Sequence, residues 1–325
     1  MRAVLIERYN EIDAINVSDV PVPEVPNGCV RVKVRAAGVG YVDGLKIRGL
    51  YQTKDPLPFI PGSEFAGTVD EAGQGATRFP PGAAVFGFAR SGALADFVIV
   101  PQDALHALPQ GISFEVAASF RTNYMTALYG LGERAYLQAG ETLLVLGAAG
   151  GVGVAAVQIG KLLGARVIAA ASTDEKRAFA KRYGADETLD YSKPNWRDDL
   201  KALVGDRGVD VVYDPVGSDI GLIAFRTLGW RGRHLVVGFA GGPIPALPFN
   251  LPLLKGAALV GVDLAQIARR EPEIEARVQD QLLAWLADGS LAPVVGQTFD
   301  IGQFREAFRT MTGRAAIGKM VITMA

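Results

Sequence analysis

The sequence predicts an α/β protein that combines a doubly wound parallel sheet with a second, β-rich domain. From residue 140 onward, apolar runs alternate with helical patterns, which is typical of strands and helices wound in βαβ units. The first 120 residues instead carry short strand patterns separated by proline and glycine. A length of 325 residues agrees with about two domains of roughly 150 residues each.

The parallel sheet is predicted from apolar runs in the second half of the chain. Thr142–Leu146 is continuously apolar, as expected of a strand that is buried on both faces. Residues 151–163 have helical spacing and end before Gly164, a natural C-cap. Further strands are expected at 166–171, 209–213, 234–239 and 258–264, and further helices at 174–183 and 271–287.

The first half has the character of an irregular β structure. Residues 30–36 alternate apolar and basic side chains, as a half-buried strand does. Residues 65–69 and 97–100 are further short strands, and a helical pattern begins at 116–131. The last 30 or so residues return to short strands and end on one at 320–324.

Charge and residue counts exclude several classes of protein. Lys and Arg number 33 and Asp and Glu 34, and a net charge of −1 offers no electrostatic footprint for nucleic acid or an anionic membrane. Cys29 is the single cysteine, which excludes an internal disulfide framework and a cysteine-rich zinc site. His106 and His234 are the only histidines and are expected to be structural. We therefore expect no metal and a cytoplasmic location.

Two features that could suggest a membrane or secreted protein are better explained otherwise. Glu7 interrupts the N-terminal apolar run too early for a signal peptide. Residues 142–160 are 19 residues without a charge, the length of a membrane span, but glycines cluster at 147–153. A strand, a turn and a helix fit this stretch better.

The glycine-rich turn at 147–153 predicts a phosphate site. Set against the pattern G-x-G-x-x-G, Ala148 takes the first position, Gly150 the second and Gly153 the third. The second position lets the backbone approach a pyrophosphate, and the third lets the helix pack closely on the strand. The helix N-terminus then offers N–H groups and partial positive charge. A turn without a ligand and an S-adenosylmethionine site remain alternatives.

The end of the next strand favours NADPH over NADH. An NAD site usually has Asp or Glu there, to bind the ribose 2′-hydroxyl. This chain has Ala170, Ala171 and Ser172 instead, with Lys176 one helical turn further on. Ser172 and Lys176 would supply the donors and charge that a 2′-phosphate needs. Ser172 also has capping-box spacing to Glu175, which is compatible with this role, and Lys176 is alternatively a solvated helix lysine.

At this point the sequence resembles a known family, the zinc-independent quinone oxidoreductases of the medium-chain dehydrogenase/reductase superfamily, which includes the zeta-crystallin-like enzymes. The likeness covers nearly the whole chain. Its motifs are Ala36-Ala37-Gly38-Val39, Arg48-Gly49-Leu50-Tyr51, Pro61-Gly62-Ser63-Glu64-Phe65-Ala66-Gly67, Met125-Thr126-Ala127, residues 148–153 and 172–176, Asp190-Tyr191, Gly238-Phe239 and Gly318-Lys319. The ordered set is specific, although no single motif is.

The resemblance implies a GroES-like catalytic domain made from both chain ends, with a Rossmann NADP-binding domain inserted between them. We place the GroES-like domain at 1–122 and 266–325 and the Rossmann domain at 123–265. The nicotinamide is expected in the cleft between the two domains. A homodimer is expected by analogy, paired through the apolar strand at 259–264, where an unpaired sheet edge would be a liability.

The resemblance also implies the roles of individual residues. The pyrophosphate and nicotinamide path is expected to be lined by Thr126, Tyr129, Gly150, Gly151 and Val152. The adenosine end is expected to be surrounded by Ser172, Lys176, Tyr191 and Arg314. The backbone of Gly238, Phe239 and Ala240 is expected to hold the carboxamide side. Tyr51 is expected to close over the cofactor and is the leading candidate for binding the substrate oxygen, with Tyr41 second.

Two positions set this chain apart from relatives. Zinc-using members have His where this chain has Ser63, and the structural four-cysteine lobe is absent. The family usually reads Gly-Val-Asn-x-x-Asp, with the Asn near the nicotinamide, whereas this chain reads Gly38-Val39-Gly40-Tyr41-Val42-Asp43. Asp43 is expected to organise its loop rather than to donate a proton.

The expected function is NADPH-dependent, zinc-independent hydride transfer to a quinone or another conjugated carbonyl. Without a metal, charge that develops on the substrate oxygen must be met by hydrogen-bond donors. An enoyl-thioester or 2-alkenal reductase is the alternative enzyme, because both substrates present a conjugated electrophile. An NADPH-binding sensor or structural protein without turnover is the alternative of another class, and Gly40 keeps that reading open.

Overall fold

The computed structural model describes residues 1–324 and divides the chain into two compact units. Residues 1–122 and 293–324 form the first unit, and Asn123–Ala292 form the second. The domain limits expected from the sequence, with the Rossmann domain at 123–265, remain a prediction. Residues 266–292, which we assigned to the GroES-like domain, belong to the second unit here, where Glu271 and Arg277 bind Tyr129 and Glu133.

The strands and helices are numbered in chain order. The strands are β1 (Arg2–Val4), β2 (Val17–Asp19), β3 (Cys29–Val39), β4 (Glu64–Ala72), β5 (Ala84–Phe88), β6 (Phe97–Pro101), β7 (Leu105–Ala107), β8 (Thr142–Leu146), β9 (Arg166–Ala170), β10 (Glu187–Leu189), β11 (Val209–Asp214), β12 (Leu228–Val236), β13 (Ala258–Gly261), β14 (Val295–Asp300) and β15 (Lys319–Thr323). The helices are α1 (Tyr41–Ile47), α2 (Phe114–Leu128), α3 (Gly151–Leu162), α4 (Asp174–Arg182), α5 (Trp196–Val204), α6 (Ser218–Phe225), α7 (Asn250–Lys255), α8 (Ile267–Arg270), α9 (Pro272–Ala287) and α10 (Phe304–Thr312).

The second unit contains the doubly wound parallel sheet that the sequence predicts. Its strand order is β10-β9-β8-β11-β12-β13, and every pairing is parallel. The order reverses between β8 and β11, so this sheet has a topological switch point at the carboxyl ends of those strands. The apolar strands form the core of the unit, with Trp196 and Phe225 packed into it from the flanking helices.

The first unit is built on a seven-stranded sheet of order β14-β15-β3-β4-β5-β7, with β6 also paired to β3. β15 pairs antiparallel with β3, from Met320 opposite Val39 to Thr323 opposite Ala36. This pairing joins the C-terminal segment to the N-terminal sheet, as expected of a domain built from both chain ends. The predicted mixed fold, which combines a β-rich unit and a unit with a Rossmann-type sheet, is confirmed.

Three predicted elements have different limits in the structure. β12 begins at Leu228, not at residue 234, because Arg231, Gly232 and Arg233 interrupt the apolar strand pattern. It ends at Val236, because the amides of Val237 and Gly238 turn to the carbonyl of Asp214. β13 ends at Gly261, since Asp263 caps a 3₁₀ turn at Leu264–Gln266. The helical pattern at 116–131 becomes α2 followed by a π-helical turn at Tyr129–Arg134.

The uncharged stretch at 142–160 folds as β8, a turn and most of α3. Within residues 1–324, every helix is too short or too polar to pass through a bilayer.

Candidate functional site

The glycine-rich turn leads from β8 into α3, beside the switch point of the parallel sheet. Gly147 has φ +59°, and Gly150 is the N-cap of α3 without a side-chain cap. A Cβ on Gly153 would lie 2.2 Å from the carbonyl oxygen of Gly147, so the helix can approach the turn only if this residue is glycine.

Gly150 is glycine for a different reason. Its backbone, at φ −74° and ψ 166°, suits any residue, and a Cβ there would meet only the Gly147 oxygen, at 3.5 Å. The fold therefore does not require glycine at this position, but a ligand that approaches the backbone would. The first amides of α3, at Gly151 and Val152, have no partner within the helix, as in any helix N-terminus. The turn thus fits a dinucleotide pyrophosphate.

A second side of this site is formed by the loops that follow β11 and β12. The amide of Ala240 donates to the carbonyl of Pro215 at 3.1 Å, and the amide of Gly241 donates to that of Val216 at 2.7 Å. A Cβ on Gly217 would lie 2.8 Å from the ring of Phe239, so the two loops are in close contact. The predicted carboxamide-binding backbone at 238–240 therefore rests on the 215–217 loop.

The end of β9 differs from expectation in its helix cap. Thr173, not Ser172, caps α4, and its hydroxyl accepts the Lys176 amide at 3.3 Å. The capping interpretation of Ser172 is therefore wrong, because the helix begins one residue later than its spacing to Glu175 suggested. The Ser172 hydroxyl is left for another role at the carboxyl end of the strand.

Arg177 is a charged residue at this strand end that the sequence analysis missed. Its guanidinium donates to the carbonyl of Ala171 at 3.0 Å and lies 3.1 Å from the carboxylate of Asp190. Hydrogen bonds from Ser192 and then the charge of Arg177 lower the pKa of Asp190. Arg177 thereby links the ends of β9 and β10, and its basic character next to Lys176 was the signal that could have identified it.

Thr126 and Tyr129 lie on consecutive helical segments of the second unit. Thr126 is buried in α2, and Tyr129 opens the π-helical turn, a type of irregularity that is frequent at functional sites. The Tyr129 hydroxyl donates to Glu271 at 2.7 Å. Burial and the neighbouring Glu271 raise the pKa of Tyr129, which keeps the hydroxyl protonated.

The first unit holds the two candidate tyrosines and the unusual Gly40. Gly40 is the N-cap of α1, and its amide donates to Asp43 at 2.8 Å, while Gly62 donates to the other oxygen at 3.3 Å. Asp43 is buried, and burial raises its pKa despite these bonds. Its expected role in organising the loop agrees with these contacts. Tyr41, the first residue of α1, is 39% exposed, and Tyr51 lies half-buried in the loop that follows.

A buried ion pair lies directly beside Gly40. Lys319 and Glu64 are both almost fully buried, and their charged atoms are 2.7 Å apart. The second Glu64 oxygen accepts the Thr122 amide at 2.7 Å. A Cβ on Gly40 would lie 3.7 Å from the Lys319 ammonium, so the missing side chain leaves space next to a buried cation. Motif matching found both residues but did not predict their contact.

The structure brings most of the predicted cofactor residues to one edge of the parallel sheet. Gly150, Gly151 and Val152 follow β8, Ser172 follows β9, Tyr191 follows β10, and residues 238–240 follow β12. Lys176 lies in α4, and Thr126 and Tyr129 lie in the helical segments described above. Tyr41, Tyr51 and Arg314 belong to the first unit, and Arg314 has φ +59° after α10. Carboxyl ends of parallel strands are where ligands bind in sheets of this type.

Comparison with known proteins agrees with this architecture. Residues 26–110 match the model of the alcohol dehydrogenase GroES-like domain, and residues 151–280 match that of the zinc-binding dehydrogenase domain. Quinone oxidoreductase-like protein 2 of Rattus norvegicus is 36% identical over 296 residues, which are 91% of this chain and 85% of the relative. The chain belongs to the zinc-independent quinone oxidoreductase-like family of the medium-chain dehydrogenase/reductase superfamily.

Two further relatives cover essentially the full chain. Quinone oxidoreductase of Homo sapiens is 31% identical and covers 100% of this chain and 98% of the relative. The solved quinone oxidoreductase from Thermus thermophilus, described also as a complex with NADPH, is 32% identical, covers 99% of this chain and 100% of that one, and superimposes with a TM-score of 0.85.

One of the two matched domain models is described as a zinc-binding dehydrogenase, but the residues that match it lack the usual zinc ligands. Residues 151–280 contain one histidine, His234, and no cysteine. In the part of the chain that the structure describes, no three His, Cys, Asp or Glu side chains are grouped to hold a metal ion. His106 lies in β7 beside the ring of Phe86, and His234 is bonded to Asp214.

Proposed function

We propose that this family member is an NADPH-dependent, zinc-independent reductase that transfers hydride to a quinone or another conjugated carbonyl. The observation that carries the proposal is Gly150, whose missing side chain opens a helix N-terminus to a ligand at the switch point of the sheet. The enzyme class and the cofactor follow from the family, whose solved Thermus member is described with NADPH and whose full-length relatives are quinone oxidoreductases. The identity of the substrate does not follow from the family and is the part that we propose.

The choice of NADPH is supported by the charges at the end of β9. The strand ends without an acidic residue, and Ser172, Lys176 and Arg177 lie within six positions of one another. A phosphate there would receive a hydroxyl donor and cationic donors, which form hydrogen bonds roughly twice as strong as neutral ones. We assign Ser172, Lys176, Tyr191 and Arg314 to the adenosine end.

The remaining proposed contacts orient the nicotinamide end. Thr126, Tyr129 and the first turn of α3 are assigned to the pyrophosphate and nicotinamide path, and the backbone at 238–240 to the carboxamide. NADPH, when bound, supplies a hydride from C4. The chain itself must hold the substrate and meet the charge on its oxygen with donors, since no metal is assigned. Tyr51 is the first candidate for that donor and Tyr41 the second.

The test is NADPH oxidation measured over a panel of quinones, 2-alkenals and enoyl thioesters. We expect the highest kcat/KM for a quinone or another conjugated carbonyl. A clear preference for enoyl thioesters or 2-alkenals would replace the substrate with the alternative. Tight NADPH binding without oxidation by any substrate would overturn the reductase function in favour of a sensor or structural role.

A homodimer is the assembly we propose, paired through β13. This strand is the edge of the parallel sheet, and its residue Leu259 is 50% exposed. Further exposed apolar residues are Trp230 on the neighbouring strand β12 and Leu253 and Leu254 on α7. An exposed apolar edge strand is a liability that pairing with a second copy removes. Sedimentation velocity at micromolar concentration should give a dimer for the native chain and a monomer for Leu259→Lys. A monomeric native chain would contradict this assembly.

The location we propose is the cytoplasm. The chain has one cysteine in 325 residues, as expected where disulfides are not maintained. Fractionation of cells that express the tagged protein should recover it with cytoplasmic markers, and recovery with membranes or an extracellular fraction would contradict this location.

A further inference from the structure

A buried acid and a buried histidine lie beneath the two loops proposed to face the nicotinamide. Asp214 is the last residue of β11, and His234 lies in β12 next to it. Their side chains are 5% and 4% exposed, and Nε2 of His234 is 3.0 Å from Oδ2 of Asp214. Neither residue is part of the glycine turn or of the family motifs that predicted the site.

The Asp214 carboxylate accepts three hydrogen bonds. The amides of Val216 and Gly217 donate to Oδ1 at 2.8 and 2.7 Å. These two bonds fold the chain back over the carboxylate immediately after the strand. Oδ2 is left for His234, so the ring donates through an Nε2–H group and is fixed in one tautomer.

The surrounding helix is shaped to accept this pair. A Cβ on Gly221, in α6, would lie 2.4 Å from Oδ2 of Asp214, so only glycine allows the helix to cover the carboxylate. The ring of Phe225 lies 5.9 Å from that of His234. Nδ1 of His234 has no hydrogen-bond partner among residues 1–324, which leaves Asp214 as the one fixed partner of the imidazole in that part of the chain.

The backbone of Asp214 connects this pair to the proposed carboxamide site. Its carbonyl accepts the amides of Val237 and Gly238 at 2.9 and 3.3 Å. The loop that its carboxylate folds accepts the amides of Ala240 and Gly241 through Pro215 and Val216. One residue therefore determines the placement of both loops, from its side chain on one side and its carbonyl on the other.

We propose that His234 is a positioning residue for cofactor binding: by holding the Asp214 carboxylate, it fixes the 215–217 loop and, through it, the backbone at 238–240. This inference rests on the proposed NADPH site and deepens it. A buried carboxylate that loses a charge-assisted hydrogen bond must find another donor or move. Such a movement would displace both loops, since they share Asp214.

The experiment measures NADPH binding by titration calorimetry, without substrate, on the native chain and on three variants. His234→Leu removes the donor, His234→Asn keeps an amide too short to span the distance, and His234→Gln offers a longer amide to Asp214. We expect Leu and Asn to raise the Kd about tenfold, the size of one lost hydrogen bond to a charged group, and Gln to stay within about threefold of the native chain. In turnover, KM for NADPH should rise with the Kd while kcat changes less than about threefold.

Tyr213→Phe is the matched control. Tyr213 is the neighbouring residue on the same strand, is fully buried, and its hydroxyl has no hydrogen-bond partner in residues 1–324. Removing that hydroxyl should leave the Kd unchanged. Thermal unfolding of each variant separates loss of fold from loss of binding.

The outcomes distinguish this inference from the proposed function. A native chain that binds NADPH together with a folded His234→Leu of equal Kd would overturn the positioning role alone. Equal weakening by Leu, Asn and Gln would overturn it as well, because the hydrogen bond would not be the cause. If His234→Leu does not fold, the comparison of His234→Asn with His234→Gln decides, and equal Kd values for these two variants would overturn the positioning role. A native chain that does not bind NADPH would overturn the proposed function and this role with it.

Discussion

The glycine-rich turn of the second unit and the buried ion pair of the first unit are built in different ways. At the turn, Gly147, Gly150 and Gly153 lie within seven residues and act through their own backbone. In the first unit, Lys319 meets Glu64 across 255 positions of sequence. The first site depends on local backbone geometry, and the second depends on the sheet that brings β15 against β3. A local site is therefore visible in sequence, whereas a long-range ion pair is visible only after folding.

The largest effect is expected from breaking the long-range pair. Lys319→Met leaves the buried Glu64 carboxylate without its cation and should lower the free energy of unfolding by about 3–5 kcal/mol. Chemical denaturation monitored by circular dichroism measures the change. The double variant Lys319→Met with Glu64→Gln is the control and should recover most of the loss, because no charge is then left unpaired. Equal destabilisation of both would show that packing, not charge, is responsible.

Gly153→Ala should be the next largest effect and tests the steric role in the turn. The added Cβ would lie 2.2 Å from a backbone oxygen, so the turn or the helix must shift. Overpacking of this kind costs about 1–3 kcal/mol of unfolding free energy. The melting temperature should fall and the Kd for NADPH should rise. A variant with native melting temperature and native Kd would mean that the turn is less constrained than its geometry indicates.

Gly150→Ala should separate ligand binding from folding at the same turn. The new Cβ would make only an ordinary contact, 3.5 Å from the Gly147 oxygen. The unfolding free energy should therefore change by less than about 1 kcal/mol, because the gain through the unfolded chain opposes the poorer N-cap preference of Ala. NADPH affinity should nevertheless fall by about tenfold or more, because the backbone can no longer approach the pyrophosphate. The comparison with Gly153→Ala uses the same two measurements. Unchanged affinity would contradict the phosphate site.

The smallest effect is expected at the end of β9, where we propose that Lys176 distinguishes NADPH from NADH. Lys176→Ala should lower the preference for NADPH over NADH by about tenfold, with little change in NADH affinity. Kd values for both cofactors measure this. Lys181→Ala, on the last turn of α4, is the control helix lysine and should leave the preference unchanged. If Lys176→Ala keeps the native preference for NADPH over NADH, Lys176 is an ordinary solvated helix lysine without a role in cofactor binding.

Sequence patterns predicted the elements whose signals are local. β8 and α3 match to within a residue because continuous apolar runs and glycine boundaries mark them. β12 was predicted six residues late, because Arg231, Gly232 and Arg233 interrupt its apolar pattern while parallel pairing with β11 still makes it a strand. The cap of α4 shifted from Ser172 to Thr173, since both residues can cap and only the backbone geometry selects one.

The sequence by itself determined the parallel sheet, the glycine-rich turn and the family, since each depends on residue spacing along a few continuous segments. The tertiary structure alone decided the Lys319–Glu64 pair beside Gly40, the link of Arg177 to Asp190, and the hold of His234 on Asp214. In each of these pairs a buried or half-buried charge must find a partner, because desolvating it alone is costly. The strand order determines which residues are within reach, and that order is a property of the folded sheet.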